Sequence, residues 1–92
     1  MFKLKRLLAL AALWLACAAH AAVDVNHASA ADLDGIKGIG PALSGRILQE
    51  RDKGGQFKDW RDLIKRVRGF GEHRAEQFSA QGLTVNGTPF TR

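Results

Sequence analysis

The sequence predicts a small all-α domain of about four short helices, in which one helical unit occurs twice. Apolar residues recur at helical spacing, and strand-like alternation is confined to short stretches at the two ends. The pattern of residues 36–41 recurs 31 positions later at residues 67–72. Both copies begin with an apolar residue, a basic residue, Gly, an apolar residue and Gly. A repeat of this kind indicates that each copy is one supersecondary unit.

The first 21 residues are predicted to be a cleaved secretory signal peptide. Basic residues at the start precede an apolar run at 7–19, and Ala19-His20-Ala21 supplies the small residues that a signal peptidase reads. The apolar run is shorter than the about 20 residues that a membrane-spanning helix needs. The alternatives are a retained N-terminal anchor and a lipoprotein signal that is cleaved at Cys17.

Cleavage after Ala21 leaves 92 − 21 = 71 residues, which is one domain with a modest core. The signal removes three of the 14 basic residues and none of the nine acidic ones, so the net charge falls from +5 to 11 − 9 = +2. This mild excess does not by itself indicate a nucleic-acid partner. The sole cysteine leaves with the signal and two histidines remain, His27 and His73, so a structural zinc site is not expected. We expect no cofactor and no other metal site.

The first helical unit begins at Ser29. Asp32 follows three residues later, and this capping-box pattern predicts a helix of about two turns. Gly-Ile-Gly at 38–40 then turns the chain. Pro41 opens a second helix, because the N–H that proline lacks would have no partner at a first helical position. The second helix is predicted to run to about Asp52, where two glycines follow.

The second unit repeats this pattern. Asp59 has the capping role at the start of a third helix, and Gly-Phe-Gly at 69–71 is the second turn. A fourth helix is predicted from Glu72 to about Ala80, and Gly82 is expected in the left-handed conformation that ends many helices. The predicted boundaries are a signal peptide at 1–21, a domain at 22–85 and a flexible C-terminal tail at 86–92.

Each glycine turn is predicted to present backbone N–H groups to an anion such as a phosphate. The first N–H groups of a helix have no partner within the helix, and the positive end of its dipole points the same way. Glycines permit unusual dihedrals and close approach to the backbone. Ile39 and Phe70, between the glycines, are predicted to anchor the turns in the core. A single Gly-x-Gly would favour a plain tight turn, but two copies in one register favour phosphate binding.

The predicted DNA-binding residues are the two glycine turns and the basic side chains near them. Lys37 and Arg68 are the strongest basic candidates, because the repeat places both immediately before the glycines. The full set is Lys37, Gly38, Ile39, Gly40, Arg46, Arg68, Gly69, Phe70, Gly71, His73 and Arg74. A dinucleotide-binding fingerprint is excluded, because Leu43 and Arg74 stand where its third glycine is required.

Four stretches carry a resemblance to a known family: the lead-in at 25–30, the first turn with its flanks at 33–41, Phe57-Lys58, and the second turn at 69–72. Together they resemble the tandem helix–hairpin–helix domain of ComEA-type competence proteins, over about residues 23–85. A secretion signal followed by this domain alone is similar to the short periplasmic form of Gram-negative bacteria. The resemblance implies a non-enzymatic receptor for double-stranded DNA in natural transformation.

The resemblance also implies partners. DNA would be held as an uptake pilus brings it through the outer membrane, so pilus components and an inner-membrane DNA channel are the protein partners it suggests. No stable membrane anchor is expected after signal cleavage. The family's phosphate-contacting positions correspond to 38–40 and 69–71.

The chain departs from the family pattern near the first turn. Leu43 stands where many relatives carry a lysine, which predicts weaker DNA binding by the first hairpin, and Ser44 stands at a usual alanine position. An extra residue before the second turn leads us to align Ile64, rather than Leu63, with Leu33.

Sequence-independent binding of duplex DNA is therefore the leading hypothesis, because contacts to phosphates carry no sequence information. The alternative is a secreted helical protein-interaction module without DNA binding, which the low net charge favours. A nuclease or repair accessory domain is a third hypothesis. The predicted signal argues against it, and Ser29, Ser44 and Ser79 have no evident base partner, so an enzyme is not expected.

Overall fold

The computed structural model describes residues 22–91, and the predicted signal peptide and its cleavage point lie outside the described residues. The elements follow in the order β1 (Val23–Asp24), α1 (Ala30–Asp34), α2 (Pro41–Gly54), α3 (Trp60–Arg66), α4 (Glu72–Ser79) and β2 (Leu83–Thr84). The predicted all-α class with four short helices is confirmed. Across this described range, no helix has the length and apolar character required to cross a membrane.

The two short strands join the ends of the domain. β1 and β2 pair in parallel, with Val23 opposite Leu83 and Asp24 opposite Thr84. The Asp24 carboxylate accepts hydrogen bonds from the Thr84 hydroxyl at 2.9 Å and from the Gly87 N–H at 2.7 Å. Burial opposes its charge, but these bonds, a third from the Asn26 N–H and the nearby His27 hold the pKa of Asp24 below its ordinary value.

Helices α1 and α3 begin as the sequence predicts, with side-chain caps. The Ser29 Oγ accepts the Asp32 N–H at 3.1 Å, and the Asp32 carboxylate accepts the Ser29 N–H at 3.0 Å, which completes a capping box. Asp59 Oδ1 accepts the Asp62 N–H at 2.7 Å. Each cap satisfies a backbone donor that the helix cannot satisfy itself.

One hydrophobic core runs through both units. Its buried members are Val25, Ala28, Leu33, Ile36, Ile39, Leu43, Ile47, Phe57, Trp60, Leu63, Val67, Phe70, Ala75, Phe78, Leu83 and Val85. The predicted anchors Ile39 and Phe70 and the core assignment of Trp60 are thereby confirmed.

The register of the second unit differs from the prediction. Leu33 and Leu63 are both fully buried, four residues after their N-caps, whereas Ile64 is only half-buried. Leu63 is therefore the structural equivalent of Leu33, and the alignment with Ile64 is wrong. The extra residue lies between Leu63 and the second turn, where α3 has seven residues against five in α1.

A buried amide connects three segments. Asn26 is 6% exposed, its Oδ1 accepts the Phe57 N–H at 2.7 Å and its Nδ2 donates to the Phe57 carbonyl at 3.0 Å. The same Nδ2 donates to the Asn86 side chain at 2.9 Å. Asparagine suits this position because one planar group supplies both a donor and an acceptor.

The segment after β2 packs against the domain. Trp60 Nε1 donates to the Thr88 carbonyl at 2.8 Å, and the Phe90 ring meets the Trp60 ring edge-on with centroids 5.4 Å apart. The Phe90 N–H donates to the Ser79 hydroxyl at 2.8 Å. These contacts lie within the stretch 86–92 that the sequence predicts to be a flexible tail, and Arg92 lies outside the described residues.

Two arginines stabilise loops. Arg51 donates from Nη1 to two carbonyls of the β1–α1 segment, at 3.0 and 2.7 Å. Arg66 donates to carbonyls at the end of α2 and in the following loop, and its guanidinium lies 4.3 Å from the Phe57 ring centroid. Arg66 also pairs with Asp62 at 3.1 Å. These two positive charges therefore belong to the scaffold.

Candidate nucleic-acid interface

The first glycine of each hairpin is required by the turn itself. Gly38 has a φ of +100° and Gly69 a φ of +87°, a region that favours glycine. Each turn is closed by an equivalent hydrogen bond. In the first turn the Ile39 N–H donates to the Ile36 carbonyl at 3.0 Å, and in the second the Phe70 N–H donates to the Val67 carbonyl at 3.2 Å. The two copies of the sequence repeat therefore fold into equivalent turns.

The backbone conformation at the second glycine of each hairpin does not require glycine. Gly40 and Gly71 have φ of −97° and −110° with ψ near 180°, which is extended backbone that any residue adopts. An added Cβ would have no atom within 4 Å at either position. Both glycines are N-caps, a position that accepts glycine, although Asn, Asp and Ser have side chains that also hydrogen-bond the first N–H groups of the helix. The effect of the two glycines is to keep the space beside the helix start open.

The helices that follow the hairpins lack the side-chain caps of α1 and α3. Neither α2 nor α4 has a side-chain hydrogen bond at its N-cap. Their first backbone N–H groups, of which Pro41 contributes none to α2, therefore have no partner within the helix and no side-chain cap. The positive end of a helix dipole lies at each of these starts, of a 14-residue helix in α2 and an eight-residue helix in α4. This arrangement can bind an anion.

The two hairpins are held against each other by residues of the opposite unit. The Phe78 ring of α4 lies against Gly38, where an added Cβ would be 2.9 Å from its Cε1. Phe70 of the second hairpin packs edge-on to the same ring, with centroids 5.5 Å apart. Through Phe78, the buried side of each turn shares one packing centre, which fixes the relative positions of the two turns.

Arg46 connects α2 to the second hairpin. Its Nη1 donates to the Arg68 carbonyl at 3.2 Å, and the same atom would lie 3.0 Å from a Cβ at Gly69. A predicted basic residue of the first unit thus places its charge beside the glycine turn of the second. Arg46 remains exposed, so part of its guanidinium faces solvent.

Gln81 holds the first hairpin, and sequence reasoning missed it. Its Nε2 donates to the Lys37 carbonyl at 2.8 Å, while the Lys37 N–H donates to its Oε1 at 2.8 Å. The planar amide of Gln81 thereby hydrogen-bonds both the N–H and the carbonyl of Lys37. The exposed side chain of Lys37 takes no part in this contact. No local sequence pattern predicts this pair of hydrogen bonds, because Gln81 lies 44 positions after Lys37 in the chain.

The remaining predicted basic residues lie around the two turns. Lys37 and Arg68 are exposed beside the first glycines, and His73 and Arg74 are exposed on the first turn of α4. Leu43, at the position equivalent to Arg74 in the repeat, is 4% exposed and belongs to the core. The second hairpin therefore has a basic side chain where the first has a core residue. Over residues 22–91, no group of three potential metal ligands is present.

The fold and the paired turns define a tandem helix–hairpin–helix protein. The family model described as helix-hairpin-helix motif matches residues 18–81, and the chain belongs to this family. It is 35% identical over 65 residues to ComE operon protein 1 of Bacillus subtilis, covering 71% of this chain and 31% of that protein. It is 41% identical over 61 residues to Protein tex of Bordetella pertussis, covering 66% of this chain and 8% of that protein.

The similarity to these relatives is therefore a similarity of one domain. The chain spans under a third of the length of ComE operon protein 1 and under a tenth of Protein tex. No solved structure matches the chain at a significant level.

Proposed function

We propose that the protein binds double-stranded DNA without sequence preference, through phosphate contacts at the two glycine hairpins. One observation carries the proposal: the chain caps α1 and α3 with side chains but starts α2 and α4 with glycines that leave their N–H groups open. Since the fold does not require glycine at Gly40 or Gly71, an external ligand that approaches the backbone explains both.

The charges around the turns suit a phosphate. Lys37 and Arg68 flank the two openings, and Arg46 adds a guanidinium beside the second. Contacts to phosphates position a protein on DNA but carry no sequence information, whereas base readout requires side chains that reach into a groove. Because the candidate donors are mainly backbone N–H groups, the expected binding is independent of sequence.

We further propose that the protein is a non-enzymatic periplasmic DNA receptor in natural transformation. The signal-like start of the sequence, the resemblance to ComEA-type competence proteins and the similarity to ComE operon protein 1 support this role. Components of a DNA-uptake pilus and of an inner-membrane DNA channel are the protein partners that the role implies.

The strength of binding follows from the number of phosphates contacted. If about four phosphates are neutralised, the slope of log affinity against log salt is about −3.6, an affinity loss of roughly 150-fold between 50 and 200 mM salt. A single domain is then expected to bind in the micromolar range of non-specific binders.

The experiment is a titration of the purified protein with two unrelated duplexes of equal length, across a salt series. Equal affinities with a steep negative slope are the expected result. The Gly40→Ser, Gly71→Ser variant is expected to lose at least about tenfold in affinity without a lower melting temperature. A serine N-cap stabilises a helix, but here it would occupy the N–H groups that the phosphate needs.

Ala80→Ser is the matched control, because it adds the same hydroxyl at an exposed position at the far end of α4. Its affinity should equal that of the wild type. A folded wild-type protein that does not bind DNA at low salt would contradict the proposal and favour the protein-interaction module. An affinity of the glycine double variant equal to the wild-type value would place the DNA site elsewhere.

A further inference from the structure

We propose that the outer face of α3 is a second phosphate-contacting surface, which extends the DNA interface beyond the two hairpins. The surface consists of Arg61 and Lys65, and we call it the α3 basic stripe. It lies on the helix that immediately precedes the second glycine turn. This inference rests on the function proposed above and assigns a binding role to residues outside the glycine motif.

The outward side of α3 carries two columns of charge, each with members four residues apart. In one column Asp62 and Arg66 form an ion pair, with 3.1 Å between Oδ2 and Nη1. In the other column Arg61 and Lys65 are exposed, and neither forms an ion pair with any of residues 22–91. Like charges at this spacing repel across one helical turn and destabilise a helix. A doubly positive column beside a neutralised one is a local conflict of the kind expected at a binding site.

The acidic residues near the stripe leave it positive. Asp59 uses its carboxylate to cap α3, and Asp62 accepts the Lys58 N–H at 3.0 Å in addition to Arg66. Glu72 lines the same shallow cavity as Arg61, but no ion pair within 4.0 Å joins the two. The two positive charges of the stripe are therefore available to an external anion.

Duplex DNA is the occupant that charge and position favour. The rise of 1.5 Å per residue places Arg61 and Lys65 about 6 Å apart along the helix axis. A DNA strand advances about 3.4 Å per phosphate along its axis, so two such side chains can contact phosphates of one strand. Arg61 lines one cavity with Glu72, the first residue of α4, so a duplex seated on the second hairpin passes close to the stripe.

The test compares charge-removing variants in the same salt series. Lys65→Gln and the double variant Arg61→Gln, Lys65→Gln remove one and both charges of the stripe. Lys53→Gln is the matched control, because it removes one exposed lysine charge from the last turn of α2. Removing one phosphate-neutralising side chain should reduce the magnitude of the salt slope by about 0.9. The expected reductions are therefore about 0.9 for Lys65→Gln, about 1.8 for the double variant and near zero for the control.

For the double variant this reduction makes the affinity loss between 50 and 200 mM salt about 12-fold smaller than in the wild type. The melting temperatures should change little, because the repulsion that the variants relieve and the interaction of Lys65 with the helix dipole that they remove are of similar size. A double variant with the wild-type slope, or equal changes from Lys65→Gln and Lys53→Gln, would overturn the stripe while leaving the hairpin proposal in place. A wild-type slope near zero would overturn both the stripe and the hairpin proposal. Failure of the stripe alone is therefore distinguishable from failure of the proposed function.

Discussion

At the scale of single residues, the two glycines of each hairpin have different roles. Gly38 and Gly69 occupy positive φ and lie against Phe78 and Arg46, so the fold requires them. Gly40 has an ordinary extended backbone with open space beside it. The first glycine of the motif therefore builds the turn, and the second is available for function.

Variants at these glycines should separate stability from binding. Gly38→Ala is expected to lower the free energy of unfolding by about 1–3 kcal/mol, because alanine is strained at positive φ. Its Cβ would also lie 2.9 Å from the Phe78 ring. Gly40→Ala is expected to lower the free energy of unfolding by less, about 0.5–1 kcal/mol, because its backbone is unstrained and only the preference of an N-cap for glycine over alanine is lost.

Chemical denaturation measures both effects, and a DNA titration completes the comparison. Gly40→Ala should weaken binding despite its stability, because its methyl group intrudes on the approach to the N–H groups. Equal destabilisation by the two substitutions would contradict the division of roles.

The local elements follow from local chemistry, and most could be predicted from the sequence. Ser29 and Asp59 begin helices because their side chains satisfy free N–H groups, and Gly82 has the predicted positive φ of 108°. The structure extends α2 to Gly54, two residues past the predicted end, because a glycine can still complete a helical turn. The register error at Leu63 arose because the glycine turns repeat every 31 residues but the caps do not.

Contacts between distant elements could not be predicted. The two-residue strands β1 and β2 are too short to show a periodic pattern, yet they pair across the ends of the domain. Gln81 clamps the backbone of Lys37 from 44 residues away, and Arg46 reaches the second hairpin from α2. The sequence therefore predicts the glycine turns of the site, while tertiary contacts determine how the turns are held.

The hydrogen-bonded contact of Asp24 with Thr84 and Gly87, which we call the clasp, predicts a dependence of stability on pH. The lowered pKa of Asp24 means that its stabilising contribution is present above the unfolded value of about 3.9 and is lost as pH falls through the folded pKa. Asp32 and Asp62 also have lowered pKa values, through hydrogen bonds chiefly from the Ser29 and Lys58 N–H groups, and act in the same direction. The wild type should therefore lose stability below about pH 4.

Asp24→Asn provides the specific check. The variant is expected to be less stable than the wild type at pH 7, because an amide nitrogen cannot accept the hydrogen bonds from Thr84 and Gly87. The difference should shrink as pH falls below about 4, since protonation weakens the same interactions in the wild type. Unfolding by denaturant at a series of pH values measures this difference. A constant difference would show that the Asp24 charge contributes nothing to the clasp.

For the whole molecule, the arrangement of charge matters more than its sum. Arg51 and Arg66 are bound into the scaffold, and several carboxylates are used as caps or in the clasp. Basic side chains that remain exposed surround the two hairpins and continue along α3. A net charge of +2 for residues 22–92 is therefore compatible with a DNA-binding surface, because acids and bases are not distributed evenly.

The central claim is that the open starts of α2 and α4 bind phosphates of duplex DNA. The most direct measurement is a nuclear magnetic resonance titration of the backbone N–H groups with a short duplex. We expect the largest shifts to cluster at 38–43 and 69–74, with a second duplex sequence producing the same pattern. Shifts confined to other surfaces, or a pattern that changes with sequence, would contradict the claim.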